Sequence, residues 1–355
     1  MDQRKVAMIS PYGPAWIGGI SSFAMSLSDN LRRLGVDCEL LVNIGGIPGR
    51  TTMLRGPKPL FVIRAAIWLL RYRPRVLHAH AHWHTLLPAV LYKTFHRRVK
   101  VVFTIHTPQA REPLLSSWFI SKLMAKCDVV TAVSDEIARD LRSKVPANVT
   151  VKKISPGATV RVGAYLESRR FLAIPEGCFV ATFIGPLHWP AKVAGVKLLI
   201  HSFEGFSNHV PESRLLVVGG GPYLRELRTL VAAARADARI VLVGETMDPA
   251  PYLHACDVYA HISFMEGLPL SMLEAMLARK AVIASRVGAI PEVLEDGKSG
   301  ILVRNNETEI VAALSRLHAD HHLRDSLGQV GYETVAHHYT WDLVAQEFCS
   351  IYDGA

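Results

Sequence analysis

Two glutamates, Glu266 and Glu274, stand with seven residues between them in the stretch Ser263-Phe-Met-Glu-Gly-Leu-Pro-Leu-Ser-Met-Leu-Glu274. Gly267 permits a sharp or positive-φ turn, and Pro269 fits the first helical position, where a missing N–H costs nothing. Residues from Leu270 to Ala278 favour helix. The amides of Leu270 and Ser271 therefore point out of a helix N-terminus, where an anionic group is held. Glu274 follows about one and a half turns further in. Phosphate-binding amides, one carboxylate at the mouth of the site and a second behind it suit a ligand that carries both phosphate and hydroxyl groups.

Other residues could join such chemistry. Val101-Val-Phe-Thr-Ile-His106 is an apolar strand that delivers a histidine at its C-terminal end, where doubly wound sheets place ligands; a satisfied core histidine is the competing reading. Lys192 follows the strand Phe179 to Gly185 and offers a fixed positive charge. Gly18 and Gly19 lie between a strand and a helix, which suits either close approach of backbone amides to a phosphate or a plain strand-to-helix turn. Histidines 78, 80, 82 and 84 alternate, so a metal site and a strand end rich in histidine both come into view. No Asp, Glu or Cys cluster accompanies them, and the metal-free reading is preferred. Gly219, Gly220 and Gly221 invite a dinucleotide reading, but they lack the Gly-x-Gly-x-x-Gly spacing.

The elements that must position these residues alternate strand and helix. Val6 to Ser10 reads as a strand, Ile20 to Leu34 as a helix closed by Gly35, and Cys38 to Asn43 as a second strand. Pro59 to Pro74 is a basic amphipathic helix, open to packing on a parallel sheet or to lying in a membrane interface. Cys127 to Ser134 and Val151 to Ile154 continue the strands, and Ala158 to Gly177, with no clean periodicity, reads as a linker. In the second half, strands are expected at Phe179 to Gly185, Arg214 to Val218, Arg239 to Val243 and Val258 to Ile262. Helices are expected at about Val196 to Phe206, Tyr223 to Ala236, Glu309 to Leu317, Leu323 to Ala336 and near the end from Tyr339 to Tyr352.

Composition bounds the rest. A chain of 355 residues, half of them apolar and a fifth charged, has room for two globular domains and no signature of disorder. Five scattered cysteines read as buried free thiols in a reducing compartment. No signal region opens the sequence and no stretch is long enough to span a bilayer, so a cytoplasmic protein is expected, with peripheral attachment to the inner membrane face as its limit. Lys plus Arg number 40 against 31 Asp plus Glu, an excess of 9 that favours nucleotide phosphates or an acidic membrane leaflet. Nucleic acid ranks low, because no nucleic-acid-binding motif or long basic run is present.

The two glutamates in their setting, together with Ala-Val-Ile-Ala-Ser-Arg-Val-Gly-Ala-Ile-Pro-Glu-Val-Leu-Glu-Asp-Gly-Lys-Ser-Gly-Ile-Leu-Val downstream, closely resemble the C-terminal half of family 4 glycosyltransferases of the GT-B fold. The resemblance extends over nearly the whole chain. It implies two Rossmann-like α/β domains facing an interdomain cleft: an acceptor domain at residues 1–165, joined by a C-terminal helix at about 338–355, and a nucleotide-sugar donor domain at 175–337. It implies retaining, metal-independent transfer from a nucleoside-diphosphate sugar to a glycan or lipid-linked acceptor, with no cofactor and peripheral contact with an acidic membrane. The residues it marks as catalytic are His106, Glu266 and Lys192; those it marks for the donor are Gly18, Gly19, Lys192, Glu266, Gly267, Leu268, Leu270, Ser271 and Glu274. Acceptor choice falls to first-domain loops such as Ile44 to Lys58 and Thr107 to Ser117. One departure matters: the family pairs its lysine with an earlier arginine, and Pro186 occupies that place here, with His188 nearby as a partial substitute. A non-catalytic sugar-nucleotide-binding subunit therefore stands as the alternative. A GT-B epimerase fits the Glu-Gly-Leu-Pro-Leu setting less well, and a Rossmann oxidoreductase lacks its glycine spacing.

Overall fold

The computed structural model describes residues 5–15, 18–106, 114–159, 163–234 and 237–354. The loop Thr107 to Ser117, expected to choose the acceptor, lies outside them as far as residue 113. The chain divides into two compact units: Met1–Gly157 with Trp341–Ala355, and Ala158–Thr340.

In the first unit the elements run β1 (Lys5–Tyr12), α1 (Gly19–Arg33), β2 (Asp37–Ile44), β3 (Thr52–Met53), α2 (Lys58–Tyr72), β4 (Val76–His80), α3 (Trp83–Phe95), β5 (Lys100–Ile105), α4 (Leu114–Met124), β6 (Val129–Ala132), α5 (Asp135–Arg142) and β7 (Thr150–Lys153). The strands form a parallel sheet in the order β3-β2-β1-β4-β5-β6-β7. β1 and β4 are buried along nearly their whole length, which is what a parallel sheet covered by helices requires. Chain order reverses between β1 and β4, so the Gly18–Gly19 turn after β1 opens at a switch point of the kind that accepts ligands in such sheets.

The closing helix, labelled last below, belongs to this first unit. Buried His78 on β4 explains part of its return. Its Nδ1 lies 2.7 Å from the Tyr352 hydroxyl and its Nε2 2.6 Å from Thr104 Oγ1, so the ring bridges the terminal helix and the sheet. Phe23 of α1 meets Trp341 and Phe348 edge-on, at ring separations of 5.2 and 6.3 Å.

The second unit runs α6 (Tyr165–Phe171), β8 (Phe179–Ile184), α7 (Pro190–Ser207), β9 (Ser213–Val218), α8 (Leu224–Ala233), β10 (Ile240–Gly244), α9 (Ala250–Ala255), β11 (Val258–His261), α10 (Leu270–Leu277), β12 (Ala281–Ser285), α11 (Ile290–Val293), β13 (Ile301–Val303), α12 (Glu307–Ala319) and α13 (His321–His338); α14 (Trp341–Asp353) is the closing helix just described. Its parallel sheet has the order β10-β9-β8-β11-β12-β13. One core lies on each face, with Phe183, Leu199, Phe203 and Ile283 in one and Val180, Met272, Met276 and Val282 in the other. The switch point falls between β8 and β11.

Several boundaries differ from the sequence reading. The segment read as a linker holds α6, and Arg169 on that helix pairs with Asp257 at 3.2 Å, which ties it into the second unit. α7 starts at Pro190, six residues before the expected Val196, because Pro190 takes a first-turn position after Trp189. Lys192 thus sits in the first turn of a helix and not in a loop. Pro269 is the residue before α10 and not its first residue. The four histidines do not share a strand face: β4 ends at His80, Ala81 adopts φ 68°, and His82 and His84 belong to the start of α3.

Candidate active site

In the second unit the C-terminal ends of β8 and β11 deliver the two chains of residues that meet. After β8 the backbone turns through Gly185 to Leu187 and enters α7; after β11 it runs through Ser263 to Leu268 and enters α10. Close approach of these segments depends on glycine. A Cβ on Gly195 of α7 would lie 2.2 Å from the Ile262 carbonyl oxygen, so only glycine lets the helix rest on the outgoing strand. Gly288 has φ +55°, and a Cβ there would stand 2.1 Å from the Glu266 carbonyl oxygen. The Glu266 loop is further pinned by Phe264 N–H donating to Ala191 O at 3.2 Å and Ala289 N–H donating to Gly267 O at 3.0 Å. Beneath it Ser263 N–H donates to Ser285 Oγ and Asn305 Nδ2 donates to Ser263 O, each at 2.9 Å.

This scaffold brings Lys192 Nζ to 3.0 Å from Glu266 Oε1, with side-chain exposures of 13% and 9%. His261, fully buried at the end of β11, places Nε2 3.0 Å from the same oxygen. Burial by itself would raise the Glu266 carboxyl; the Lys192 charge and the His261 contact overcome it and hold Glu266 down at about 2. Glu274, one helical turn and a half beyond on α10, has the opposite fate. Burial raises it to about 7, and no side-chain hydrogen bond or ion pair to it is present among the described residues. Two carboxyl groups on one short stretch are thereby driven to different protonation states, which allows one to act as a fixed anion and the other as a hydrogen-bond donor below neutral pH.

The early part of α10 behaves as its sequence foretells. Pro269 O accepts from the N–H groups of Met272 and Leu273, while Leu270 and Ser271 precede the first intrahelical bonds and present their amides outward. The Ser271 hydroxyl faces inward instead: it donates to Ile184 O at 2.8 Å and stands 2.7 Å from the Tyr259 hydroxyl. Leu268 is buried and anchors the turn between Gly267 and the helix. Pro186 occupies the loop after β8, and exposed His188 sits beside Gly221, where a Cβ would lie 3.1 Å from its Nδ1. The three glycines are explained by packing: Cβ atoms on Gly219 and Gly221 would collide with Gly185 O and Leu187 O at 1.9 and 2.3 Å.

In the first unit His106 follows β5, partly exposed, with its Nε2 3.2 Å from His80 Nδ1 and Phe23 edge-on at 4.9 Å. Burial, aided by the nearby His82 charge, pushes it down to about 3, so it serves as a neutral donor or acceptor at physiological pH. Gly18 is extended at φ 173° and Gly19 begins α1, with nothing within 4 Å of where a Gly19 Cβ would stand.

The sequence reading brought together Lys192, Glu266, Gly267, Leu268, Leu270, Ser271 and Glu274, and the second unit gathers them around the ends of β8 and β11. It passed over His261 and Tyr259. A histidine interrupting the apolar run Val258 to Ile262, five residues before Glu266, was the available signal.

Residues 178–320 match the family model described as glycosyl transferases group 1, and residues 17–154 match glycosyltransferase family 4. N-acetyl-alpha-D-glucosaminyl L-malate synthase of Bacillus anthracis is 26% identical over 286 residues, covering 78% of this chain and 74% of its own. Alpha-maltose-1-phosphate synthase of Mycolicibacterium smegmatis is 26% identical over 391 residues, covering 98% of each. Among solved structures, sucrose-phosphate synthase from Thermosynechococcus elongatus superposes with a TM-score of 0.86 at 22% identity, over 99% of this chain and 98% of that one. Anabaena HepE in complex with UDP-glucose superposes with a TM-score of 0.83 at 17% identity, over 99% and 100%. The chain belongs to the family 4 glycosyltransferases of the GT-B fold.

Proposed function

We propose that the protein moves a sugar from a nucleoside-diphosphate sugar to a hydroxyl acceptor, with retention at the anomeric carbon and without a metal or other cofactor. The observation that carries this reading is the buried Lys192–Glu266 pair at the switch point of the second sheet, beside the outward amides of Leu270 and Ser271. The diphosphate lies against those amides and Lys192, the donor sugar hydroxyls bind Glu266, and the ribose hydroxyls bind Glu274. Cleavage of the bond between the sugar and the leaving phosphate builds positive charge on the ring and negative charge on the phosphate. Fixed donors aimed at that phosphate lower the barrier by about 3 kcal/mol each. A phosphate oxygen takes the acceptor's proton as the new glycosidic bond forms on the same face, so no protein nucleophile is required. Gly18, Gly19 and neutral His106 serve the reaction from the first unit. UDP-glucose, present in the HepE structure, is the first donor to test. Glu266→Ala is expected to abolish transfer while largely preserving nucleoside-diphosphate affinity in a calorimetric titration; unchanged turnover refutes the assignment.

Pro186, where the family carries an arginine, favours one competing reading, a non-catalytic sugar-nucleotide-binding subunit. That reading predicts donor binding with no turnover against any acceptor.

The reading includes a glycan or lipid-linked acceptor met at an acidic membrane surface. No helix among the described residues is long and apolar enough to cross a membrane. Residues 40–111 contain twelve Lys and Arg and no Asp or Glu, so this one segment outweighs the chain's whole excess of 9. Within it α2 buries Phe61, Val62, Ala65 and Leu69, while Ile63, Ile67 and Leu70 are 56, 49 and 56% exposed. Arg64 and Arg71 on α2, and exposed Phe95 with Arg97 and Arg98 after α3, extend the same basic and apolar character. Such a surface fits an anionic leaflet, with apolar side chains entering the interface and arginines meeting headgroup phosphates.

A further inference from the structure

A buried chain of polar groups under Glu266 has no part in the reading above. Tyr259 is wholly buried on β11; its hydroxyl stands 3.1 Å from His261 Nδ1, 2.7 Å from Ser271 Oγ and 3.2 Å from Ile184 O. Phe183 stacks on His261 at 5.4 Å and holds the imidazole plane. Both bonds to the Glu266 carboxylate, from Lys192 and from His261, fall on Oε1, and none is made to Oε2 among the described residues.

Hydrogen counting constrains the bonds at His261. An ionised carboxylate only accepts, so His261 Nε2 carries a hydrogen and donates it to Glu266 Oε1. The ring is fully buried near the Lys192 ammonium, which disfavours a second proton. His261 Nδ1 is then a bare lone pair, and the group within reach that can donate to it is the Tyr259 hydroxyl. With the single Tyr259 hydrogen committed there, the 2.7 Å contact between the two hydroxyls needs the Ser271 hydrogen, which then turns from Ile184 O to the tyrosine oxygen. The reverse arrangement, with the hydrogen on Nδ1, sets the Nε2 lone pair against the carboxylate at 3.0 Å, a repulsive contact.

We infer that His261 is a positioning residue for the donor sugar: held in its Nε2–H tautomer by Tyr259, it anchors Glu266 Oε1 so that Oε2 is left for the sugar hydroxyls. The inference rests on the assignment of Glu266 to the donor sugar. It goes beyond it by making sugar recognition depend on two buried residues of β11. The phosphates are held elsewhere, by Lys192 and the α10 amides, so the relay discriminates between a nucleoside diphosphate and the same nucleotide bearing a sugar.

The test compares His261→Leu, which removes the donor, with His261→Gln, whose amide N–H can restore it. Calorimetric titration with UDP and with UDP-glucose is expected to show UDP affinity within about twofold of wild type in both variants. UDP-glucose affinity should fall about tenfold in His261→Leu and recover most of that loss in His261→Gln, the size expected for one hydrogen bond to a charged group. Equal weakening of both ligands, or no recovery with glutamine, overturns the proposal, because a purely structural histidine would produce it. Nitrogen-15 NMR of the wild-type histidines tests the same claim without any variant. Protonation at Nε2 alone is expected from pH 6 to 8, with a mixture of tautomers in Tyr259→Phe; an Nδ1–H or doubly protonated His261 overturns it. If wild type binds neither UDP nor UDP-glucose, the donor assignment fails by that result, while the NMR still decides whether the relay orients Glu266.

Discussion

Replacing Glu266 with glutamine isolates the charge that Glu266 brings to its pair with Lys192. Glutamine has nearly the shape of a protonated glutamate, so the variant imitates the neutral form that wild type reaches only in strong acid. In the folded chain Lys192 and His261 outweigh burial and carry Glu266 from 4.5 down to about 2. A displacement of about 2.5 units corresponds to about 3 kcal/mol in favour of the ionised form. The sign follows from linkage: a depressed carboxyl contributes stability that is present above about pH 4.5 and is lost as pH falls through about 2. Glu266→Gln is therefore expected to lower the stability of the second unit by about 3 kcal/mol at pH 7, or roughly 6–12 °C in Tm for a domain of its size. Part of that loss reflects Lys192, whose side chain is only 13% exposed and would lose its carboxylate partner. Differential scanning fluorimetry of both proteins from pH 7 down to pH 3 measures the effect. The gap should be constant down to about pH 4.5 and narrow below it. A variant as stable as wild type at pH 7, or a gap that does not change with pH, would refute an ionised, paired Glu266.

Glu274 carries the opposite expectation. Burial raises it to about 7, so the stability tied to its neutral form is complete below about pH 4.5 and is lost as pH rises through 7; Glu274→Gln should gain on wild type as pH rises from about 4.5 to about 7 and hold that gain above it, and a parallel Tm profile across that window would contradict this. On the exposed face of α2 proposed to meet a membrane, the double change Ile67→Glu with Leu70→Glu should abolish co-sedimentation with vesicles rich in phosphatidylglycerol. Wild-type binding should weaken with added salt and be absent on neutral phosphatidylcholine, and undiminished binding of the variant would locate any docking elsewhere.

Local chemistry that one segment carries alone was legible in the sequence. Ser134 stands directly before Asp135 and Glu136 at the start of α5, and its hydroxyl accepts from Ile137 N–H at 3.3 Å. The amides at the start of α10 follow from Gly267 and Pro269 in the same way. What the sequence withheld was whatever needs two distant segments. Lys192 and Glu266 meet because glycine at 195 lets α7 touch the strand end at Ile262, and no spacing rule along the chain encodes that approach. The α2 question had no single answer in sequence because the helix carries apolar residues on two faces: Phe61 and Leu69 pack inward while Ile63 and Leu70 face out. The histidine run misled for a local reason, since the positive φ at Ala81 ends the strand and breaks the alternation after His80.

The same stretch that carries the family resemblance also solves an electrostatic problem. The proposed diphosphate donor would bring negative charge to a site that already holds two carboxyl groups, and two ionised glutamates would repel it. The fold resolves this by giving them unequal surroundings. Glu266 shares its charge with Lys192 and a buried N–H, so its field is largely cancelled before the ligand arrives, while Glu274, with burial and no partner, stays largely protonated up to neutrality. Under the proposed function Lys192 faces two claims, since the amine that steadies Glu266 would also be the fixed cation for the leaving phosphate. With Pro186 in place of a second cation, His261 becomes more consequential on that reading: were Lys192 to turn toward phosphate, the imidazole nitrogen at 3.0 Å would be the contact that remains on Glu266 Oε1. Loss of the arginine and the presence of a buried histidine are thus linked in their effect on one carboxylate.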